Sequence, residues 1–381
     1  MPVSTIEHDQ PGEEAMRAAL LTEQHKPLEL IDDLEVADPG PGQVRVEVHH
    51  CGLCHSDLSF MNGMVPTPLP VVLGHEASGI VTAVGSGVTS VAEGARVMLT
   101  PVPSCGACYW CVRDEHSLCV NGASFITQTF LDGTTGFSRK GETVYRGLNV
   151  GAFAHETVAL ERAVVPIPDD VDLGVVTVIG CAVQTGVGAV LNIAEVGPGD
   201  TVLVMGLGGI GISIVQGARI AGATRIIVSD PVAERREGAA RFGATDAIDP
   251  TSEDVVSEAR RLTGGIGVDH AFDAVGSTAL VATGFSATRN GGITVAVGAG
   301  PIDQMLDGIN GADLMFSQRQ IRGCLLGGVN SRREIPRLLD LYRTEQLDLE
   351  AMVTAHRPID EVNLAADDMT AGVGLRTVLD F

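Results

Sequence analysis

A chain of 381 residues, 45% apolar and 19% charged, has the length for two or three domains with sizeable cores and is too apolar for a disordered acidic chain. Its formal charge of −23 repels polyanions, so nucleic acid and acidic membrane surfaces are excluded as natural partners. The greasiest stretch, residues 171–191, is interrupted by Asp172, Gly180 and Gln184, and residues 1–10 lack a basic-then-apolar leader pattern, which together predict a cytoplasmic globular protein.

In chain order, Val44, Val46 and Val48 alternate with Arg45 and Glu47, predicting a half-buried strand that runs into Cys51-Gly-Leu-Cys54. Residues 71–75 and 80–84 read as further strands, punctuated by Gly85 and Gly87. From Gly199 the pattern changes. Strands are predicted over 201–205, 225–229, 268–272 and 293–297, with helices over 210–221, 231–242 and 278–288 between them. That alternation argues for βαβ units and a parallel sheet. Helical stretches follow near 332–344 and 359–370, and domain boundaries are expected near 183 and 325, with the C-terminal segment returning to the first domain.

Eight cysteines in a long chain without a leader pattern read as metal ligands or free thiols rather than disulfides. Cys54, His75 and Cys181 stand apart in sequence, each beside glycine or another polar residue. Two thiolates and one imidazole leave a tetrahedral ion one open corner. Isolated buried Cys and His more often serve packing, as Cys51 and Cys324 are read to do, and His55 competes as a ligand. Cys105, Cys108, Cys111 and Cys119 have the spacing to close four thiolates around one structural zinc; an iron–sulfur cluster and free thiols are the alternatives.

Gly206-Leu-Gly208-Gly209-Ile-Gly211 follows a predicted strand and opens a predicted helix, the context in which glycines let a pyrophosphate approach the helix N-terminus. Asp230 lies 24 residues after Gly206, close to the spacing of an acid that hydrogen-bonds a ribose 2′-hydroxyl. An aspartate there favours NAD over NADP, although Arg235 and Arg236 lie close enough to keep NADP open.

Together, residues 51–57, 74–76, 105–119, 180–186, 206–211 and 372–377 resemble the zinc-dependent, medium-chain alcohol dehydrogenase family, over nearly the whole chain from about residue 16. The resemblance implies an α/β protein: a β-rich, GroES-like catalytic domain over 1–182, a Rossmann-type parallel-sheet coenzyme domain over 183–325, and a return to the catalytic domain over 326–381. It implies a catalytic zinc on Cys54, His75 and Cys181, with Asp57 and Glu76 as the carboxylates that orient and tune it. A structural zinc falls to Cys105, Cys108, Cys111 and Cys119, and Ser56 becomes the hydroxyl that contacts substrate oxygen. Asp230 takes the adenosine ribose, His55 and Arg376 the pyrophosphate beside Gly206, Gly208, Gly209, Gly211 and Arg235, while Thr185 and the 325–327 backbone position the nicotinamide ring. The implied complement is two zinc ions and NAD per chain, an alcohol or aldehyde substrate, no nucleic acid or membrane partner, and a homodimer.

The chain also departs from its relatives. Ser59 stands where liver-type enzymes end a proton relay on histidine, so water or a neighbouring group is expected to finish it. Val120-Asn-Gly-Ala123 lacks the arginine of glutathione-dependent formaldehyde dehydrogenases, and Pro101 replaces a common aromatic pocket residue. The 62 positions from Cys119 to Cys181 suit the long loop of the dimeric liver-like branch, and residues 130–137 resemble bacterial aryl-alcohol dehydrogenases and enzymes that retain nicotinamide. Leu148 and Leu325 are expected to line a pocket for a hydrophobic or aryl alcohol. The competing readings are a nicotinoprotein with permanently held NAD, a thiol-adduct formaldehyde dehydrogenase, and a non-enzymatic zinc-stabilised nucleotide-binding protein.

Overall fold

Alternating valines make Gln43–Gly52 the spine of a mixed sheet, because Val44, Val46 and Val48 all point to one buried face. The computed structural model describes residues 16–381, and the N-terminal segment read above for a leader lies outside the described residues. In the mixed sheet the strands run Val164–Pro166, Arg96–Leu99, Glu76–Val84, Gln43–Gly52, Arg376–Asp380 and Val353–Pro358, and Glu156–Leu160 also pairs with Gln43–Gly52. Two strands from beyond residue 350 are thus built into a sheet whose other members precede residue 170.

The second half forms a six-stranded sheet in the order Asp246–Ile248, Arg225–Ser229, Thr201–Met205, Val268–Asp273, Thr288–Ala296, Gln320–Gly323, with every pairing parallel. Numbered along the chain this order is 3-2-1-4-5-6, the doubly wound Rossmann arrangement, whose switch point lies between the first and fourth strands. The protein is therefore α/β, a β-rich part beside a Rossmann-like sheet.

The predicted strand over 71–75 shortens to Val71–Val72, because Gly74 takes a φ of +87° that a strand does not allow. The next strand starts earlier than expected, at Glu76. The helix expected from residue 231 begins at Ala233, and the strands Asp246–Ile248 and Gln320–Gly323 were not anticipated. Three or four residues offer too few alternations to reveal a period.

Among the described residues no single helix is long and apolar enough to cross a membrane. The apolar run near 171–191 becomes two helical stretches, Leu173–Gly180 and Ala182–Ala194, bent by 50° at Cys181. Val176, Val178, Ile179, Val183, Val187 and Val190 from these stretches are fully buried in the same core cluster as the Rossmann strands.

Candidate active site

The helix His55–Met61 is capped by Cys54, whose N–H donates to Asp57 Oδ2 at 3.0 Å. Asp57 is wholly buried, and its Oδ1 accepts the Gly74 N–H at 3.0 Å and faces His75 Nδ1 at 3.3 Å. One carboxylate therefore fixes Cys54 and orients the His75 ring, leaving Nε2 as its free donor. Cys181 arrives from the bend between the two apolar helices, with φ −139° and ψ −68°. Donor atoms of Cys54, His75, Cys181 and Glu76 all lie within 4.8 Å of one another.

Glu76, which the resemblance makes an orienting carboxylate, brings a carboxylate oxygen within 4.8 Å of those donors. Its Oε1 accepts from Arg376 at 3.0 Å and from the Ala182 N–H at 3.1 Å, while Oε2 is buried without a hydrogen-bond partner. A Cβ on Gly52 would lie 2.4 Å from that Oε2, so only glycine leaves the carboxylate its place. Burial pushes the Glu76 carboxyl up to about 8, against the pull of Arg376. The Cys54 thiol is held well below its ordinary value, first by its hydrogen bond with Cys181 and then by the Arg376 guanidinium, while Cys181 is pushed up by the same bond and by burial. The thiols can shed both protons only if a cation compensates them. A buried orphan oxygen, two thiols and an oriented imidazole are a donor set that fits zinc.

Cys105, Cys108, Cys111 and Cys119 bring four sulfurs within 4.8 Å of one another. The Cys105–Cys111 and Cys108–Cys119 sulfur separations are 4.0 and 3.9 Å, too long for disulfides. A tetrahedron of that edge centres on a point about 2.4 Å from each sulfur, close to a zinc–thiolate bond and too small for a multi-iron cluster. Backbone N–H groups of Cys108 and Cys105 reach the Cys105 and Cys119 sulfurs at 3.2 and 3.1 Å. Backbone N–H bonds from Val120 and Cys111 lower Cys108 to about 6, and burial raises Cys119 to about 12.

On the coenzyme side, Gly206 turns with a φ of +90°, and a Cβ on Gly211 would meet the Gly206 carbonyl oxygen at 1.9 Å. Those two positions seat the helix Gly209–Ala221 tightly against the end of strand Thr201–Met205. Asp230 is buried, with Oδ2 accepting the Leu207 N–H and Oδ1 the Val232 N–H, both at 2.8 Å, so it braces the glycine loop as well as facing the cavity. Arg235 donates to the carbonyls of Gly372 at 2.9 Å and Gly374 at 3.3 Å, and Arg236 to the Asp230 carbonyl at 2.6 Å and to Asp249 at 3.0 Å. The Arg376 guanidinium lies beside Gly209, where a Cβ would come within 2.8 Å of it.

One cavity of about 730 Å³ joins the two halves. Cys54, His55, Ser56, His75, Cys181 and Thr185 line it together with 206–210, Asp230, Arg235 and Arg376. Gly211, Asp57 and Glu76 act from behind that surface, through the contacts above. Leu148 and Leu325 line it as expected, beside Pro101. Ser59 is buried and its hydroxyl donates to the His55 carbonyl at 3.0 Å, an ordinary helical bond. Sequence reasoning named Leu326 only for its backbone and missed the apolar wall its side chain forms with Phe60, Val102 and Phe125, and it missed Asp273. The Asp273 carboxylate accepts the N–H groups of Val275, Gly276 and Ser277 at 2.9–3.1 Å and so shapes the Ala274–Val275 edge of the cavity. An aspartate closing a strand before Gly-Ser was the available signal.

Residues 40–169 match the alcohol dehydrogenase GroES-like domain family and residues 209–344 the zinc-binding dehydrogenase family. The "Putative alcohol dehydrogenase D" of Mycobacterium tuberculosis is 36% identical over 364 residues, 95% of this chain and 98% of that protein. Among solved structures, an alcohol dehydrogenase zinc-binding domain protein from Burkholderia ambifaria superposes with a TM-score of 0.91 at 32% identity, covering 96% of this chain and 98% of its own. Benzyl alcohol dehydrogenase from Acinetobacter calcoaceticus superposes with a TM-score of 0.90 at 29% identity, covering 96% and 99%.

Proposed function

Since the chain belongs to the zinc-dependent medium-chain alcohol dehydrogenase family, an oxidoreductase family acting on small molecules, we propose that it transfers hydride reversibly between a hydrophobic or aryl alcohol and NAD. The observation that carries this reading is that the Cys54–His75–Cys181 donors and the Gly206–Gly211 turn border a single cavity. A zinc ion held there supplies a Lewis acid for the alcohol oxygen, and bound nicotinamide supplies the hydride acceptor. Asp57 orients His75, and Arg376 and Glu76 balance charge behind the thiols. Ser56 Oγ accepts the proton of the substrate hydroxyl and passes its own on towards solvent; Ser59 also lines the cavity, with its hydroxyl proton donated to the His55 carbonyl. Thr185 bounds the cavity beside Cys181 and positions the reacting ring with the 325–327 backbone. A second ion on Cys105, Cys108, Cys111 and Cys119 stabilises the lobe.

NAD is favoured over NADP because Asp230 is buried at the cavity wall and Arg236, already engaged by Asp249, is not free to greet a 2′-phosphate. His55, Gly206, Gly208, Gly209, Arg235 and Arg376 line the cavity on the coenzyme side, and Gly211 supports the loop from behind. An aryl substrate is supported by the wall of Phe60, Val65, Val102, Phe125, Leu148 and Leu326, and by the likeness to a benzyl alcohol dehydrogenase. The division into 1–182, 183–325 and 326–381 is supported by the separation of the parallel sheet from the mixed sheet and by the late strands that join the mixed sheet.

Reduced-nicotinamide absorbance tests the proposal. Benzyl alcohol with NAD should exceed both a polyol with NAD and benzyl alcohol with NADP by at least about tenfold in kcat/KM, on the order of one missing or mismatched pocket contact. Ser56→Ala should lose on the order of 10²–10⁴-fold in turnover with zinc content unchanged. Equal use of polyols, or full turnover in Ser56→Ala, would remove the corresponding assignment.

A homodimer is part of the same proposal. Gln320–Gly323 ends the parallel sheet with one unpaired edge, and Met315 and Phe316, in the helix Gly311–Ser317 that precedes it, are 63% and 79% exposed. Light scattering should return twice the chain mass of 39.6 kDa, and a single-chain mass at working concentration would dismiss this interface.

A further inference from the structure

Outside the cavity, three adjacent strands of the mixed sheet set two imidazoles and a carboxylate on one face. His50 and Asp380 are directly opposed across the antiparallel pair. In the parallel pair beside it Pro358 is level with Asp380, so His356, two residues back, shares its face. His50 Nδ1 lies 2.7 Å from Asp380 Oδ1, and His356 Nδ1 lies 3.0 Å from the same oxygen and 3.2 Å from Oδ2. One donor atom from each residue falls within 4.8 Å of the others.

An ion bound at about 2.0–2.2 Å holds neighbouring nitrogen and oxygen ligands roughly 2.9–3.4 Å apart; His356 already stands at that spacing from Asp380, while His50 would give up its 2.7 Å hydrogen bond and move outward slightly to admit one. The three side chains are 27%, 44% and 38% exposed, which gives an ion entry and leaves water to fill the remaining positions. Gly174 sits under both rings: a Cβ there would lie 3.0 Å from His356 Cε1 and 3.4 Å from His50 Cε1. The Asp172 carboxylate lies 3.2 Å from that same position, adding negative charge at the rim of a chain that already carries −23. Because the ligands come from strands rather than loops, their relative placement is held by the ladder hydrogen bonds.

We propose that His50, His356 and Asp380 form a third metal site, binding a divalent ion of the zinc and nickel class that favours imidazole and carboxylate donors. It differs from both cysteine clusters in having no sulfur, and it would staple strand Arg376–Asp380 to its two neighbours. The proposal stands independently of the alcohol dehydrogenase reading.

Zinc titration of the desalted holoenzyme, followed by calorimetry and elemental analysis, tests it. Wild type should take up one more zinc per chain than His356→Ala, and its melting temperature should rise as zinc is added. Asp380→Asn should weaken that binding by on the order of tenfold or more, and serves if His356→Ala fails to fold. Both variants should keep the resident zinc and full alcohol turnover. Equal zinc stoichiometry and affinity in wild type and the variants would overturn the site, while leaving the cysteine-held ions and the enzyme reading untouched.

Discussion

Cys181→Ala is expected to keep one of two zinc ions per chain and to lose turnover by on the order of 10³-fold or more, the worth of several kcal/mol of Lewis-acid stabilisation. Cys181 stands at the bend between Leu173–Gly180 and Ala182–Ala194, within 4.8 Å of the Cys54 and His75 donors, and its removal takes away the second thiolate, leaving one thiol, one imidazole and the buried Glu76 oxygen to hold the ion more weakly. Alanine is smaller than cysteine and packs at the same edge of the Val102–Leu326 cluster, so the fold should survive. The four-cysteine lobe draws on none of these ligands and should keep its zinc. The Rossmann half is also untouched, so NAD should still bind. Elemental analysis with single-turnover kinetics checks the result; two ions and undiminished turnover would displace Cys181 from the reaction.

Cys111→Ser should give the complementary outcome, with the cleft ion retained, the lobe ion lost and a melting temperature lower by roughly 10 °C, as the loss of several kcal/mol of metal-linked folding energy implies. Serine presents no thiolate at neutral pH, and Cys111 is 5% exposed in a small cluster with Val102, Cys119 and Leu326. Phe125 and Cys181 pack against that cluster, and Val102, Phe125 and Leu326 also face the substrate cavity. Loosening the lobe should therefore raise KM for an aryl alcohol more than it changes kcat. Calorimetric melting and substrate kinetics on one preparation read both effects, and an unchanged melting temperature would show that the lobe needs no ion.

Much of this site is legible in the amino-acid sequence. Short fixed spacings such as Cys105–Cys119, and a glycine run between a strand and a helix, put their chemistry together locally, so sequence alone carries them. Cys54, His75 and Cys181 become a set only through resemblance, because chain folding and not spacing brings them within 4.8 Å. The pairings of Arg376 with Glu76 and with the Leu53 carbonyl are invisible at that level, since they depend on strand Arg376–Asp380 entering the sheet beside Gln43–Gly52. The same insertion creates the His50–His356–Asp380 cluster, which no reading of separate segments assembles. Ser59 shows the reverse: its residue type is plain in the sequence, but its engagement with the His55 carbonyl follows from the rotamer it takes on the folded helix.

Glu76 and Arg376 are separated by 300 positions and joined by a 3.0 Å ion pair between buried side chains. A ribosome adding about 5–20 residues per second releases the carboxylate some tens of seconds before its guanidinium. For that interval the His75 imidazole is the positive charge beside the Glu76 carboxyl, and the Arg376 guanidinium is still to come. The charge arrangement behind the pocket is therefore complete only once the closing strand Arg376–Asp380 has docked beside Gln43–Gly52.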